Sequence, residues 1–253
     1  MKKSILMLAS AGLMIAAPSC KKGENDPGLS LSSRKARISN NWTVSAISST
    51  YTETDGDGDS WSNTRTFDGT TNTLVSSNTS GGTTVSNTST STFTDYSVVI
   101  NKDGTYTMTQ AYTYSDDDSF GGFTTTTAHT VTITSSGSWS FVGKEKDSYK
   151  NKERVILNSL SFSYTDDVVS TTVDDSDGSA VGTPTTSSTT SSDVESHGQD
   201  IMIFDIDMLK GKEMTWMQTF DGSDSNSSTT GSTTISSSST ITGSETWTLV
   251  EQG

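Results

Sequence analysis

Cysteine is almost missing from this chain of 253 residues: Cys20 is the only one. A lone thiol closes no internal disulfide, and it leaves no cysteine-based zinc site. Histidine is nearly as scarce, with only His129 and His197, which argues against a histidine-rich transition-metal centre. Positive charge is short as well. Sixteen Lys and Arg face thirty Asp and Glu, for a formal net charge of -14. Nucleic acid, whose phosphates call for Lys and Arg, is therefore not an expected partner. Acidity on this scale mainly keeps a protein soluble and dispersed.

Apolar residues make up only 29 % of the chain, while Ser and Thr together fill roughly a third of it, far above ordinary usage. Such a composition suits either a disordered polar tract or a Thr-rich β-protein with polar outer faces, since β-branched Thr fits a pleated surface. Aromatic residues at 8 % and ordered alternation favour the second. Sustained helical spacing of apolar residues is absent. So are the GxSxG elbow and the phosphate-cradling glycine loop. Carboxylates cluster in turns rather than pairing on strands. Nucleophilic catalysis needs a nucleophile, a base and an orienting group together. The reading is accordingly non-enzymatic, with no catalytic residues, no metal and no cofactor.

The N-terminus is more explicit. Lys2 and Lys3 form a basic n-region, and Ile5 to Ala17 an apolar run of about 13 residues, too short to span a bilayer and suited to a signal-peptide h-region. Cys20 follows directly. Small residues ahead of a cysteine resemble the lipobox of bacterial lipoproteins, although Ala17 stands where Leu is usual and Pro18 is atypical. Residues 1–19 are read as a lipoprotein signal peptide, with Cys20 as the lipidated residue. Two or more acyl chains hold a protein stably at a membrane. The mature chain is then membrane-tethered but not membrane-spanning, an outer membrane lipoprotein of the cell envelope, periplasmic or surface-exposed. Residues 20–40 are polar and carry Pro27, and they read as a flexible tether.

Residues 41–253 read as one β domain. "WTVSAISSTY" alternates, with Trp42, Val44 and Ala46 on one face. The clearest hairpin is "YSVVI", "NKDG", "TYTMTQAYTY", turning at Asp103-Gly104. Its second strand puts Tyr106, Met108, Tyr112 and Tyr114 on one face. "FTTTTAHTVTITSSGSWSF" shares Phe123, His129, Val131, Ile133, Trp139 and Phe141 in one parity. "RVILNSLSFSYT" does so with Ile156, Leu160, Phe162 and Tyr164. "IMIFDIDMLKGKEMTW" is a hairpin about Lys210-Gly211-Lys212. Two regions, 165–200 and 221–240, lack apolar residues to order themselves and read as long loops or extended strand tips. Residues 77–92 suit a polar hairpin about Gly81-Gly82. The fold class is all-β. An antiparallel up-and-down meander of about eight or more strands closes into a barrel, because closure removes unpaired edges. A two-sheet sandwich is the alternative.

The order of "KKGENDP", "SRKAR", "NNWTVS", "INKDGTYTM", "GSWSF", "KERVILNSL", "IDMLKGKEMTW" and "ETWTLVEQ" resembles the lipocalin-like domain lipoproteins of Gram-negative bacteria. The resemblance implies a lipidated up-and-down barrel, mostly of unassigned function. Trp42 stands where lipocalins place the tryptophan of the first strand, but Asn40 replaces the usual Gly, and no Arg lies in the final strand.

Four residues are candidates for binding. His129 shares parity with Val131 and Ile133, so it faces inward as a polar group that can fix a ligand. Tyr106, Tyr112 and Tyr114 form a row able to line a cavity, though the same row serves equally as core. "DGDGDS", from Asp55 to Ser60, spaces carboxylates as calcium loops do, but Ser60 and Thr66 occupy the positions where an EF-hand needs Gly and Glu. Two functions follow. One is a binding module for a small apolar or amphipathic ligand. The other is a cell-surface interaction or adhesion protein, with Ser/Thr/Asp-rich loops on an inert barrel scaffold. A lumen lined by aromatics favours the first, and one filled by Trp42, Trp139, Phe162 and Trp216 the second.

Overall fold

A computed structural model describes residues 33–143, 153–194, 201–230 and 233–252. The expected signal peptide, Cys20, most of the expected tether and His197 lie outside the described residues. One short helix, α1 (Arg34–Ile38), precedes eleven strands: β1 (Asn41–Asp55), β2 (Ser60–Phe67), β3 (Thr71–Ser80), β4 (Thr83–Ile100), β5 (Thr105–Phe120), β6 (Phe123–Phe141), β7 (Arg154–Asp174), β8 (Thr185–Val194), β9 (Ile201–Lys210), β10 (Glu213–Thr230) and β11 (Thr233–Glu251). All eleven belong to a single antiparallel sheet.

That sheet closes at one end. β1 pairs with β11 along its length and, through residues 41–43, directly with β4. The ring continues from β4 through β5, β6 and β7, passes from residues 154–158 of β7 to β9, and returns by β10 to β11. Eight strands thus form a barrel-like ring, which removes the unpaired edges an open meander carries. Away from this end the wall widens. The β2–β3 hairpin wedges between β1 and β4, and β8 takes the place of β9 beside residues 161–170 of β7. The result is a closed base and a flared mouth.

Aromatic and aliphatic side chains fill the base. Trp42, Val44, Trp216, Met214 and Leu249 have no exposed surface, and Phe204 and Tyr106 are 1 % exposed. An aromatic spine runs upward. Phe204 stacks on Trp216 at 5.1 Å, Trp247 lies 5.5 Å from both Phe204 and Tyr96, and Tyr96 stacks on Phe93 at 5.3 Å. Burying each such ring contributes roughly 1.5–3 kcal/mol.

The expected tether is shortened by this base. Residues 34–38 of it are helical. Ser33 caps the helix by accepting from the Ala36 N–H at 3.1 Å, which satisfies a donor otherwise left open. Ile38 is fully buried, and its carbonyl accepts from Trp42 Nε1 at 2.8 Å. Arg37 Nη1 donates to the Leu209 carbonyl at 2.5 Å, and the Lys35 ammonium lies 5.9 Å from the Trp139 ring centre. A polar segment holds a helix here because one isoleucine and two cationic side chains anchor it to β1, β6 and β9.

Bulges interrupt three strands and alter the expected faces of two, β1 and β7. The ladder of β1 slips between Val44 and Ala46, so Ile47 at 2 % exposure, rather than Ala46, takes the next core position. In β4 the slip lies between Phe93 and Asp95. In β7, Gly137 of β6 pairs with Ser159 while Ser136 pairs with Ser161, leaving Leu160 as the extra residue. Below this bulge Val155, Leu157 and Ser159 are buried, the parity opposite to the one expected from Ile156 and Leu160, and Phe162 is 38 % exposed instead of filling the barrel. An extra residue reverses the alternation beyond it.

The two loose regions are largely strand. β7 extends to Asp174, β8 covers residues 185–194, and β10 and β11 pair through Thr230 and Thr233. Ser77 and Ser86 Oγ meet at 2.8 Å, Thr79 and Thr84 Oγ1 at 2.9 Å, and Thr125 and Thr172 Oγ1 at 2.9 Å. Cross-strand hydroxyl pairs of this kind contribute roughly 0.2–1 kcal/mol each, which lets polar strands order without a core. The turns fall as expected at Gly81 and Gly82 (φ 56° and 78°) and at Gly104 (φ 98°), conformations glycine adopts without a Cβ clash.

Candidate functional site

Residues directly opposite one another in a ladder share a face, and the face repeats every second residue. Buried Ile47 opposes buried Phe67. Climbing from that pair, Ser49 opposes Arg65, Tyr51 opposes Asn63, and Glu53 opposes Trp61. Trp61 in turn opposes Asn78, and Asn78 opposes Val85. The core face therefore continues into the mouth, where its residues become polar and aromatic rather than aliphatic.

The floor of the mouth is charged. Arg65 Nε donates to Asn72 Oδ1 at 2.6 Å, and its Nη1 lies 4.0 Å from Glu245 Oε1. Burial pushes the Glu245 carboxyl above the usual carboxylate range, with Arg65 opposing. Tyr96, directly below, has its phenol pushed up to about 12, chiefly by burial.

One wall comes from β5, β6 and β7, and it contains the expected histidine. His129 Nδ1 lies 3.0 and 3.2 Å from the two carboxylate oxygens of Asp166. Tyr114 stacks flat on the imidazole, with ring centres 4.4 Å apart and 6° between planes. Tyr164 donates to Asp166 Oδ2 at 3.3 Å, and Tyr112 stacks on Phe93 at 4.8 Å. The phenols of Tyr112, Tyr114 and Tyr164 are raised, first by burial and next by the charge of Asp166. The ionised carboxylate can only accept, so Nδ1 is the donor of this contact.

The other wall comes from β1 to β4. Trp61 is 42 % exposed, and Tyr51 meets it edge-on at 5.4 Å and 68°. Two open cavities flank the indole. One, of about 530 Å³, reaches Ser76, Asn78, Val85 and Asn87, and the other, of about 350 Å³, reaches Glu53, Asp55 and Asp59. Asn78 and Ser80 border both, so they form one groove across Trp61. Asp59 ties its ends together, accepting from Ser80 Oγ at 2.5 Å and from the Gly81 N–H at 3.0 Å. These bonds, the Ser80 one foremost, hold its carboxyl below the usual range.

Of the four expected residues, the structure brings three together: His129, Tyr112 and Tyr114 share one wall. Tyr106 stands apart, 1 % exposed in the base, with its hydroxyl 3.3 Å from Ser135 Oγ. It packs the core instead of lining a cavity. The acidic stretch from Asp55 is a turn, in which Asp55 Oδ1 accepts from the N–H groups of Asp57 and Asp59 at 3.0 and 2.9 Å. Among the described residues no group of three or more His, Cys, Asp or Glu is placed to hold a metal. Asp116, Asp117 and Asp118 lie within β5 rather than between strands.

Sequence reasoning missed Asp166, Tyr164, Tyr51 and Trp61. Asp166 contradicts the expectation that carboxylates keep to turns: it sits inside β7, 9 % exposed. Its signal was the carboxylate pair within the otherwise β-like "SYTDDVV". Trp61 was legible in "SWSNTRTF", where Trp61, Asn63, Arg65 and Phe67 alternate. Comparisons with protein-family models, curated proteins and solved structures find no match for this chain.

Proposed function

We propose that this chain is a membrane-tethered lipoprotein of the cell envelope, anchored through Cys20, and a non-enzymatic binding module. It takes a small amphipathic ligand in the flared mouth, above a filled base. One contrast carries the reading. Of the five tryptophans, Trp42, Trp139, Trp216 and Trp247 are at most 5 % exposed, whereas Trp61 is 42 % exposed and flanked by cavities. An open indole set in a concave groove with a few polar groups is the composition of a small-molecule site. Filling of the base argues against a ligand in the lumen, and the aromatic inner wall above it argues for one at the mouth.

Native mass spectrometry of the full chain purified from its own envelope, together with titration by the neutral amphiphile N-phenylnaphthylamine, tests this. A retained small-molecule mass, or saturable uptake of the probe with a change in tryptophan emission, is expected. The absence of both signals would overturn the reading.

A second reading has its own observation. Phe120 is 87 % and Phe123 42 % exposed at the tip of the β5–β6 hairpin. Exposed rings at a strand tip suit a surface interaction or adhesion protein that uses the barrel as a scaffold.

A further inference from the structure

We propose that the groove across Trp61 binds a short neutral oligosaccharide. This rests on the mouth being a binding site and names the ligand class. A sugar ring has two apolar C–H faces and an equatorial belt of hydroxyls, each both donor and acceptor. The groove offers the matching parts. Trp61 supplies an apolar face, braced edge-on by Tyr51 so that the indole plane is held. Around it stand the amides of Asn78 and Asn87, which donate and accept, and the carboxylates of Glu53 and Asp59, which accept from hydroxyls.

The other ligand classes fit less well. No Lys or Arg lines either cavity, and Glu53, Asp55 and Asp59 line one of them, so an anionic ligand finds repulsion and no cation. A purely apolar ligand would strip water from amides and carboxylates without replacing its hydrogen bonds. The groove is also elongated: Ser76 to Ser80 along β3 covers about 13 Å at about 3.3 Å per residue, which suits more than one sugar unit. Its walls are set in advance, since Asp59 already clamps the start of β2 to the β3–β4 turn through Ser80 and Gly81.

The test is calorimetric and fluorescence titration of the full chain with neutral oligosaccharides, cellotriose, maltotriose, xylotriose and mannotriose among them. At least one is expected to bind saturably and shift tryptophan emission. Trp61→Ala should then weaken it about tenfold or more, the loss of one stacking contact. Trp61→Phe should recover part of that, while Lys102→Ala, at a turn of the closed end, should change nothing. Circular dichroism of Trp61→Ala checks that the variant folds. Binding that survives Trp61→Ala would overturn the groove assignment. If no saccharide binds but N-phenylnaphthylamine does, the ligand class is wrong and the mouth reading stands. If neither binds, both fail.

Discussion

Tyr96 offers a test of how tightly the aromatic spine is sealed, and its sign follows from one shift. The residue is 3 % exposed between Phe67, Phe93 and Trp247. Burial pushes its phenol up to about 12, the Arg65 charge opposing and Glu245 adding to the rise. In the unfolded chain the phenol ionises near pH 10. Below that both states keep the proton, and the stabilisation Tyr96 brings is fully present. Between about pH 10 and 12 only the unfolded state gains by losing the proton, so stability falls by about 1.4 kcal/mol per pH unit, about 2.7 kcal/mol across the window. Tyr96→Phe keeps the ring and abolishes the titration. At pH 8 the variant should be less stable by about 1 kcal/mol for the lost hydroxyl contact. The order of the two proteins should then invert near about pH 11. Urea unfolding followed by tryptophan fluorescence, repeated from about pH 8 to about pH 11.5, gives the difference directly, and the titrations common to both proteins cancel in it. A difference that stays constant through the window would refute the reasoning, because Tyr96 would then be ionising in the native state as freely as in the unfolded one.

Two further outcomes are expected. A Cβ built on Gly243 would lie 2.2 Å from the Thr50 carbonyl oxygen and 3.0 Å from Tyr51 Cα, so Gly243→Ala must push β11 from β1. It should lower the urea midpoint by the equivalent of about 1–3 kcal/mol, and a midpoint equal to that of the parent would mean that the strands do not approach so closely. Cys20→Ala should move the protein from the membrane fraction to the soluble one, since the proposed tether rests on acyl chains at that residue; a variant that stays in the membrane fraction would contradict lipidation.

The architecture was legible where side chains carry the signal. Alternation in "TYTMTQAYTY" and the turn glycines Gly104 and Gly211 mark strands and hairpins, because a pleated half-buried strand has period two and these turns require positive φ. The bulges at Ser45, Thr94 and Leu160 were not legible. Each is a single residue whose displacement is decided by the partner strand's ladder, and nothing in its own side chain announces it. The consequence is specific: reading Ile156 and Leu160 as core failed because the bulge at Leu160 puts Val155, Leu157 and Ser159 on the inner face below it. The candidate site was half legible for the same reason. His129 and the tyrosines lie on strands with clear alternation. Asp166 and Trp61 lie on strands whose inner faces turn polar, so hydrophobic patterning is weak there and only the carboxylate pair of "SYTDDVV" and the alternation of "SWSNTRTF" mark them.

That change of character along each strand separates two ways of staying folded. In the base, order comes from burial: Trp42, Trp216 and Leu249 are sealed, and the ring has no edge. In the mouth the same strands carry Ser and Thr, and order comes from ladder bonds and hydroxyl pairs such as Thr79 with Thr84. The ladder is also incomplete there. Among the described residues β8 pairs with β7 alone, and β10 beyond Met217 pairs with β11 alone. The wall opens at a second place, where residues 83–91 of β4 pair with β3 alone and residues 114–120 of β5 with β6 alone. A region with little apolar burial and free edges opens at lower cost than a sealed core. The groove across Trp61 spans both conditions: Trp61 and Asn78 have a paired strand on each side, whereas Val85 and Asn87 stand on the free edge of β4. A binding surface gains most from walls that are fixed before the ligand arrives, so the indole and Asn78 supply the fixed part of the proposed site, and its β4 rim is the part left free to move.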